Sequence, residues 1–351
     1  MTVAAFMELA LYDPEFGYYA RASQRSGRAG DFFTSVDVGP LFGELLAIQL
    51  AEMFRLLDLR FQIDVVEAGA GNGRLSADIL RAAKRDHPDF YNATRLHLVE
   101  ASAPARADQR ATLGDVVDRL RDSGPALPDS FEGVLIANEL LDALPVHQVV
   151  MRDDGLREVY VDVDRSTLVE GPPSTPRLGE YLDALGVALE PGWRVEINLR
   201  AVDWMRDAAR RLRRGFMILI DYGHDARELY SASHSAGTLT TFSGHRSAGA
   251  DAAAPAWLQS PGEHDITAHV DFTSVRAAAE SEGMETLGFL DQTYFLMGIL
   301  NGSTRLTVGN AAALKTLLLP GGLGSTHKVL LLGKNVGRPS LVGCSFKVRV
   351  T

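Results

Sequence analysis

The chain has 351 residues, a formal net charge of −10, 46% hydrophobic and 23% charged residues, and a single cysteine, Cys344. These values fit a folded protein with a full core, and they argue against general nucleic-acid binding, a disulfide framework or a thiolate metal cluster. No apolar run approaches the ~20 residues of a membrane helix, so no membrane insertion is expected, and the early acids Glu8, Asp13 and Glu15 do not suit a secretion signal, so a cytoplasmic location is the expectation.

In chain order, the first eleven residues carry a short helical pattern with Val3, Phe6, Met7 and Leu11 apolar. Tyr12-Asp13-Pro14-Glu15-Phe16-Gly17-Tyr18-Tyr19 then sets a turn between aromatic residues, either a packed corner or a lid. After a polar loop comes Gly30-Asp31-Phe32-Phe33-Thr34-Ser35, where an acid, two aromatics and two hydroxyls offer both cover and hydrogen bonds to a ligand. Apolar spacing predicts a helix from Leu41 to about Leu57. The apolar run Ile63 to Val66 ends in Glu67, and Gly69-Ala70-Gly71-Asn72-Gly73 follows at once, before an amphipathic segment from Leu75 to Ala83. This is a strand, a tight turn and a helix N-terminus, where outward N–H groups attract an anionic or electron-rich ligand. The dinucleotide form of the turn, G-x-G-x-x-G, would need glycine where Arg74 stands, which disfavours a nicotinamide oxidoreductase. The Glu-x-Gly-x-Gly-x-Gly spacing instead resembles the first motif of class I S-adenosylmethionine (SAM) methyltransferases, whose turn cradles the methionine part of the cofactor.

A second strand, Arg95 to Val99, ends in Glu100, the position from which an acid reaches ribose hydroxyls in nucleotide-binding α/β folds. Pro104 to Leu113 reads as a helix and Ser123 to Ser130 as a loop. Gly133 to Ala137 is a buried strand that delivers Asn138, Glu139 and Asp142 at its C-terminal end, the ligand-binding end of such sheets. Alternation over 146–150 and 156–163 predicts a hairpin. Val195 to Leu199 is a strand and Val202 to Leu212 a helix. Phe216 to Ile220 is a buried strand that leads into Asp221-Tyr222-Gly223. Ser231 to Gly262 lacks periodicity and reads as a long loop. Phe272 to Glu282 is a helix, and Thr286 to Leu290 and His327 to Leu332 are strands. His245, His264 and His269 lack a metal-ligand spacing, so no metal site is expected. His269, in Asp265-x-x-x-His269-x-Asp271, is a catalytic candidate weighed against a structural role.

Several longer stretches resemble the MidA family. They are residues 12–19, 30–35 and 40–44, then Ala137-Asn138-Glu139-Leu140-Leu141-Asp142-Ala143-Leu144-Pro145-Val146-His147-Gln148, Leu219-Ile220-Asp221-Tyr222-Gly223 and the 261–272 segment from Pro261 to Phe272. The match runs from about residue 3 to 333. The resemblance implies an α/β fold: a class I methyltransferase-like, doubly wound, seven-stranded sheet with its last strand antiparallel. It also implies an N-terminal cap and lid segment over 1–58, a methyltransferase domain over 59–334 with substrate-side insertions at about 146–200 and 224–268, and a tail over 335–351. The implied activity is SAM-dependent methylation of arginine on a protein, with a respiratory NADH dehydrogenase subunit as one such protein, since mitochondrial members are complex I assembly factors and protein arginine methyltransferases. Cofactor contacts are expected from Asp31, Phe32, Phe33, Thr34, Ser35, Glu67, Gly69, Ala70, Gly71, Asn72, Gly73, Glu100 and Asn138. Glu67 is expected near the methionine moiety and Glu100 at the ribose. Glu139 and Asp142 are the carboxylates expected to grip a guanidinium, localise its charge and receive its proton. A non-catalytic assembly chaperone with a relic SAM pocket stays open beside this reading, as does the oligomeric state.

Overall fold

The computed structural model describes residues 1–20, 34–59, 62–243, 246–248, 255–301, 311–319 and 323–346. The chain divides into two compact units, one drawn from 33–140, 206–222 and 279–351 and the other from 1–32, 141–205 and 223–278. Among the described residues no helix is long and apolar enough to cross a membrane.

The first of these units is built on seven strands: β1 (Ile63–Ala68), β2 (Thr94–Val99), β3 (Leu120–Gly124), β4 (Phe131–Asn138), β5 (Leu212–His224), β6 (Glu285–Asp291) and β7 (His327–Lys334). Their order is β3-β2-β1-β4-β5-β7-β6. The strands β1 to β5 pair in parallel, and β7 runs antiparallel to both β5 and β6. These seven form the doubly wound sheet with an antiparallel last strand that the family resemblance implies, and a short eighth strand, Val270–Asp271, pairs in parallel with the end of β5 at 223–224. All six residues of β1 are buried. A strand covered on both faces reads as a continuous apolar run, which is why β1, β4 and β5 are visible in the sequence without alternation. Helices Leu41–Leu57 and Arg74–Asp86 supply Leu46, Leu50 and Leu80 to the core, against Val65, Ile136, Ile218 and Val329 of the sheet. In the register Asp64–Gly133–Gly215, three backbones come so close that only glycine fits. A Cβ at Gly133 would lie 2.0 Å from the Asp64 carbonyl oxygen, and one at Gly215 would lie 1.9 Å from that of Gly133.

The structure departs from the sequence reading in three places. The 123–130 loop begins inside β3, whose residues are mostly exposed at the sheet edge and so carry no apolar signal. The 231–262 loop contains a 3-10 turn (Ala232–His234), two short strands (Thr240–Ser243 and Arg246–Ala248) and a helix (Ala256–Gln259). Strand 240–243 draws its register from pairing with Asp265–Thr267, a partner outside the loop, rather than from its own periodicity. The tail has a defined seat over its described residues: Leu341 is buried, and the N–H groups of Val342 and Gly343 donate to Glu52 and Gln49, both at 2.9 Å.

The other unit contains helix Val3–Tyr12, a four-stranded antiparallel sheet and the three-stranded sheet of 240–243, 246–248 and 265–267. In the larger sheet Thr167–Gly171, Gly155–Asp162, His147–Arg152 and Arg194–Ile197 follow one another. Val3, Met7, Val150, Val159, Val161 and Ile266 form its core, where the rings of Phe6 and Trp257 lie 5.4 Å apart. The N-terminal aromatics form a packed corner. Tyr18 is fully buried, the Tyr12 hydroxyl donates to the Ala143 carbonyl (3.0 Å), and that of Tyr19 donates to Asp265 (2.9 Å).

One buried charge ties β1 to the helix that follows the glycine turn. Gly73 is the N-cap of helix 74–86 and makes no side-chain cap. Orphan N–H groups of a first turn need acceptors, and Glu67 provides one. Its carboxylate accepts from the Ser76 N–H (3.2 Å) and from the Ser76 hydroxyl. Burial raises the Glu67 pKa to about 7, against the lowering effect of those same hydrogen bonds. The group is protonated in both folded and unfolded chains below about pH 4.5. Between there and pH 7 only the unfolded chain releases the proton, so stability falls as pH rises, by roughly 3 kcal/mol once both forms are ionised. Glu67→Gln removes this titration and keeps an acceptor for Ser76. Denaturant melts at pH 5 and pH 8 should therefore show the variant gaining on wild type by roughly 3 kcal/mol across that interval; an equal difference at both pH values would show that Glu67 does not titrate there.

Candidate active site

The glycine turn sits at the C-terminal end of β1, beside the end of β4. This is the topological switch of the sheet, since β2 and β3 lie on one side of β1 and β4 and β5 on the other. Gly69, Gly71 and Gly73 adopt φ of +72°, +51° and +83°, which L side chains rarely take. The Gly69 and Ala70 N–H groups donate to the Val99 carbonyl at 2.9 and 3.1 Å. Glu100 then takes the Gly71 N–H with one oxygen (2.8 Å) and the Ser102 N–H with the other (2.7 Å). A carboxylate has about four lone-pair sites, so Glu100 keeps acceptor capacity toward a ligand. Among the described residues a Cβ built on Gly71 meets nothing within 4 Å. That open face, next to Asn72, is where a ligand can approach the backbone.

Two residues of the turn's support were not visible from the motif. Gln109, fully buried, donates to the Gly71 carbonyl (2.8 Å) and accepts from Ser123 (2.6 Å). The only signal for it was a long polar residue on the inward face of a helix. Arg74, the residue that breaks the dinucleotide pattern, pairs with Asp37 at 2.9 Å. Asp37 in turn accepts from the N–H (3.0 Å) and hydroxyl (2.9 Å) of Thr34. The expected cover segment is thus anchored at its C-terminal end to the first turn of helix 74–86. Asp31, Phe32 and Phe33 lie outside the described residues.

At the end of β4 the chain turns sharply. Glu139 takes φ +51°, in the left-handed region that a side chain enters only under constraint from its surroundings. Its N–H donates to the Ile220 carbonyl (2.8 Å), and the next N–H, of Leu140, donates to the buried carboxylate of Asp221 (3.2 Å). One Glu139 oxygen, Oε1, accepts from the Ser35 N–H (3.3 Å) and the Asn138 amide (3.1 Å), with His327 Nε2 at 3.7 Å. Among the described residues Oε2 has no hydrogen-bond partner, and neither has the buried Oδ1 of Asn138. Thr34, Ser35, Asn138 and Glu139 therefore gather with the glycine turn and Glu100 in one unit, at the C-terminal ends of its strands.

Asp142 and His269 belong to the other unit. No helix follows β4, so neither Glu139 nor Asp142 serves as a helix cap; residues 141–144 form a turn that leads into strand His147–Arg152. The Asp142 carbonyl accepts from the Ala268 N–H (3.0 Å). Burial, helped by the carboxylates of Asp265 and Asp142, holds the Tyr19 phenol pKa well above its usual range. Asp142 thus stands beside the aromatic corner. His269 is grouped with His224 and His234, not with His264, while His245 lies outside the described residues. Burial, reinforced by the two neighbouring imidazoles, lowers the His269 pKa to about 4.

Comparison with known proteins agrees with this geometry. The model of the family described as "Putative S-adenosyl-L-methionine-dependent methyltransferase" matches residues 45–290. The mitochondrial protein arginine methyltransferase NDUFAF7 of Mus musculus is 29% identical over 363 residues, covering 95% of this chain and 76% of the relative. Its Homo sapiens counterpart is 30% identical over 334 residues, covering 85% and 70%. A crystal structure from Burkholderia thailandensis, solved bound to S-adenosyl-homocysteine, is 30% identical with a TM-score of 0.87, covering 98% of this chain and 90% of that one. A sheet with this strand order, a three-glycine turn at its switch point and these relatives place the chain in one family: it belongs to the S-adenosyl-L-methionine-dependent methyltransferases, and S-adenosyl-L-methionine is its cofactor.

Proposed function

We propose that this enzyme methylates a guanidinium nitrogen of arginine in a protein substrate. The name shared by its mitochondrial relatives supports that substrate class. The observation that carries the proposal is Glu139: a carboxylate fixed through one oxygen, on a backbone held at positive φ, with the second oxygen unclaimed among the described residues. When bound, the cofactor supplies an electrophilic sulfonium methyl group. The chain's task is then to bind, orient and neutralise.

The turn from Gly69 to Gly73, with Ala70 and Asn72, offers the open backbone face for the methionine end. Glu100 has acceptor capacity left for ribose hydroxyls, and Asn138 Oδ1 is a buried acceptor that matches a donor such as an ammonium group. Thr34 and Ser35 are held by Asp37 and by Glu139 with Gln292, which fixes these two residues at the same end of the sheet. Glu67 acts from behind, through the first turn of helix 74–86, and is not asked to touch the ligand's charged end. A guanidinium keeps its proton in water and delocalises its charge over a planar fork. Glu139 Oε2, accepting from one arm of that fork, draws the charge toward itself and leaves another nitrogen richer in electrons for in-line attack. It is also an acceptor for the proton that attack releases. Asp142 belongs to the other unit, where it stands beside Tyr19.

Two variants and one labelling experiment test this. Gly71→Val places a branched side chain on the open face and in an unfavourable φ, so calorimetric SAM affinity should fall at least about tenfold with the circular dichroism spectrum kept; unchanged affinity in the folded variant would remove the turn from the cofactor site. Glu139→Gln loses a charge-assisted hydrogen bond of ~1.5–3 kcal/mol, so single-turnover methylation at saturating SAM should slow about tenfold or more. Equal rates would exclude Glu139 from the chemistry. The target itself is found by incubating cell lysate with labelled SAM and sequencing the labelled band by mass spectrometry. Label on arginine is the expected result, and label confined to lysine, histidine or a carboxylate overturns the assignment.

A further inference from the structure

The three histidines of the second unit come from separate stretches of chain. His224 is the last residue of β5, His234 ends the 3-10 turn Ala232–His234, and His269 lies between the short strands Asp265–Thr267 and Val270–Asp271. Their ring centroids are 4.8 Å (224–234), 5.2 Å (224–269) and 5.9 Å (234–269) apart. One ligand nitrogen from each lies within 4.8 Å of the other two, and all three residues are partly exposed. We propose that His224, His234 and His269 bind a divalent transition-metal ion of the zinc class, with a coordination position left open to solvent.

The surroundings of the rings carry the argument beyond proximity. A metal-binding imidazole normally gives its other nitrogen to a carboxylate or a backbone carbonyl, which fixes the tautomer and the ring plane. His234 has such a partner: the Glu228 carbonyl stands 3.0 Å from its Nδ1. The Glu228 carboxylate lies 3.1 Å from Nδ1 of His224, a charge contact without hydrogen-bond geometry, and Nδ1 of His224 is buried with no hydrogen-bond partner among the described residues. With Nδ1 donating to the Glu228 carbonyl, His234 presents Nε2 as a lone pair. Three imidazoles with no thiolate suit zinc, cobalt, nickel or copper, whereas magnesium and calcium seek oxygen cages. Metal–nitrogen bonds of ~2.0–2.1 Å in a tetrahedron bring nitrogens to roughly 3.4 Å, so the rings must close by about an ångström on binding. Bound there, the ion would clip the end of β5 to the 232–234 turn and to the 265–271 strands. It would thereby close the stretch of chain between 224 and 269 and stabilise the unit by shortening its free loop. Three protein ligands and an open position also match the arrangement that binds an exchangeable water.

Full-length protein stripped with chelator and then dialysed is titrated with Co²⁺, whose visible spectrum reports tetrahedral imidazole ligation, and with Zn²⁺ by calorimetry. SAM is absent throughout, so the result does not depend on the methyl-transfer reading. Wild type should take up one ion per chain and melt at a higher temperature with Zn²⁺ present. His234→Ala should weaken binding at least about tenfold and abolish the thermal shift, while His87→Ala, a histidine of the other unit, should leave both intact. Should His234→Ala fail to fold by circular dichroism, His224→Asn is read in the same assays. Absence of a tetrahedral Co²⁺ spectrum in wild type, or a folded cluster variant that binds Zn²⁺ as tightly as wild type, overturns the site.

Discussion

A helix that begins at glycine has no side chain with which to hold its own first turn. Gly73 cannot easily be anything else, since its φ is +83° and a Cβ there would stand 3.2 Å from Leu98 and 3.5 Å from Gln109. The cap is therefore supplied from elsewhere, by Glu67 at the end of the preceding strand. Gly71 shows the same dependence at both of its polar groups, with Glu100 serving the N–H and Gln109 the carbonyl. The whole loop is thus fixed by side chains from β1, the end of β2 and the helix after it. It keeps one face clear, and it need not be ordered by whatever binds there. Pre-ordering of this kind removes part of the entropy that a flexible loop would lose on binding.

The end of β4 follows a similar plan with other parts. Glu139 is placed by the strand that carries it, but its neighbours come from β5 and β7. The Ile220 carbonyl and Asp221 hold the backbone, and His327 lies close to the carboxylate. A left-handed non-glycine residue costs about 1–3 kcal/mol and persists only where several such contacts over-determine it. The strain and its supports are concentrated at one end of one sheet, where the conformation of the Glu139 backbone decides where its second oxygen points.

Much of this was legible in the sequence because burial on both faces writes itself as an apolar run. β1, β4 and β5, with the carboxylates that follow them, could be read off directly, and so could the helix after the glycine turn. The edge strand β3 could not, because Arg121, Asp122 and Ser123 face solvent and resemble a loop. Strand 240–243 was hidden for a different reason: its pairing partner lies more than twenty residues on, and register that depends on a distant segment leaves no local period. Gln109 and the histidine cluster share that difficulty. A single buried glutamine has no motif, and His224, His234 and His269 meet through topology rather than spacing.

The position of β7 has a consequence for how the molecule is made. In the finished sheet it lies between β5 and β6, although it follows both in the chain. As the polypeptide emerges from the ribosome, β5 presents a long apolar edge with unpaired backbone groups until residues beyond 327 have been synthesised. An open strand edge of that kind recruits other chains. The segment after β7 also closes late upon something early, since the 342–343 backbone takes its acceptors from Gln49 and Glu52 of helix 41–57. The sheet unit is therefore completed from its far end backward. Until β7 is in place, the β5 edge is open to pairing with another chain.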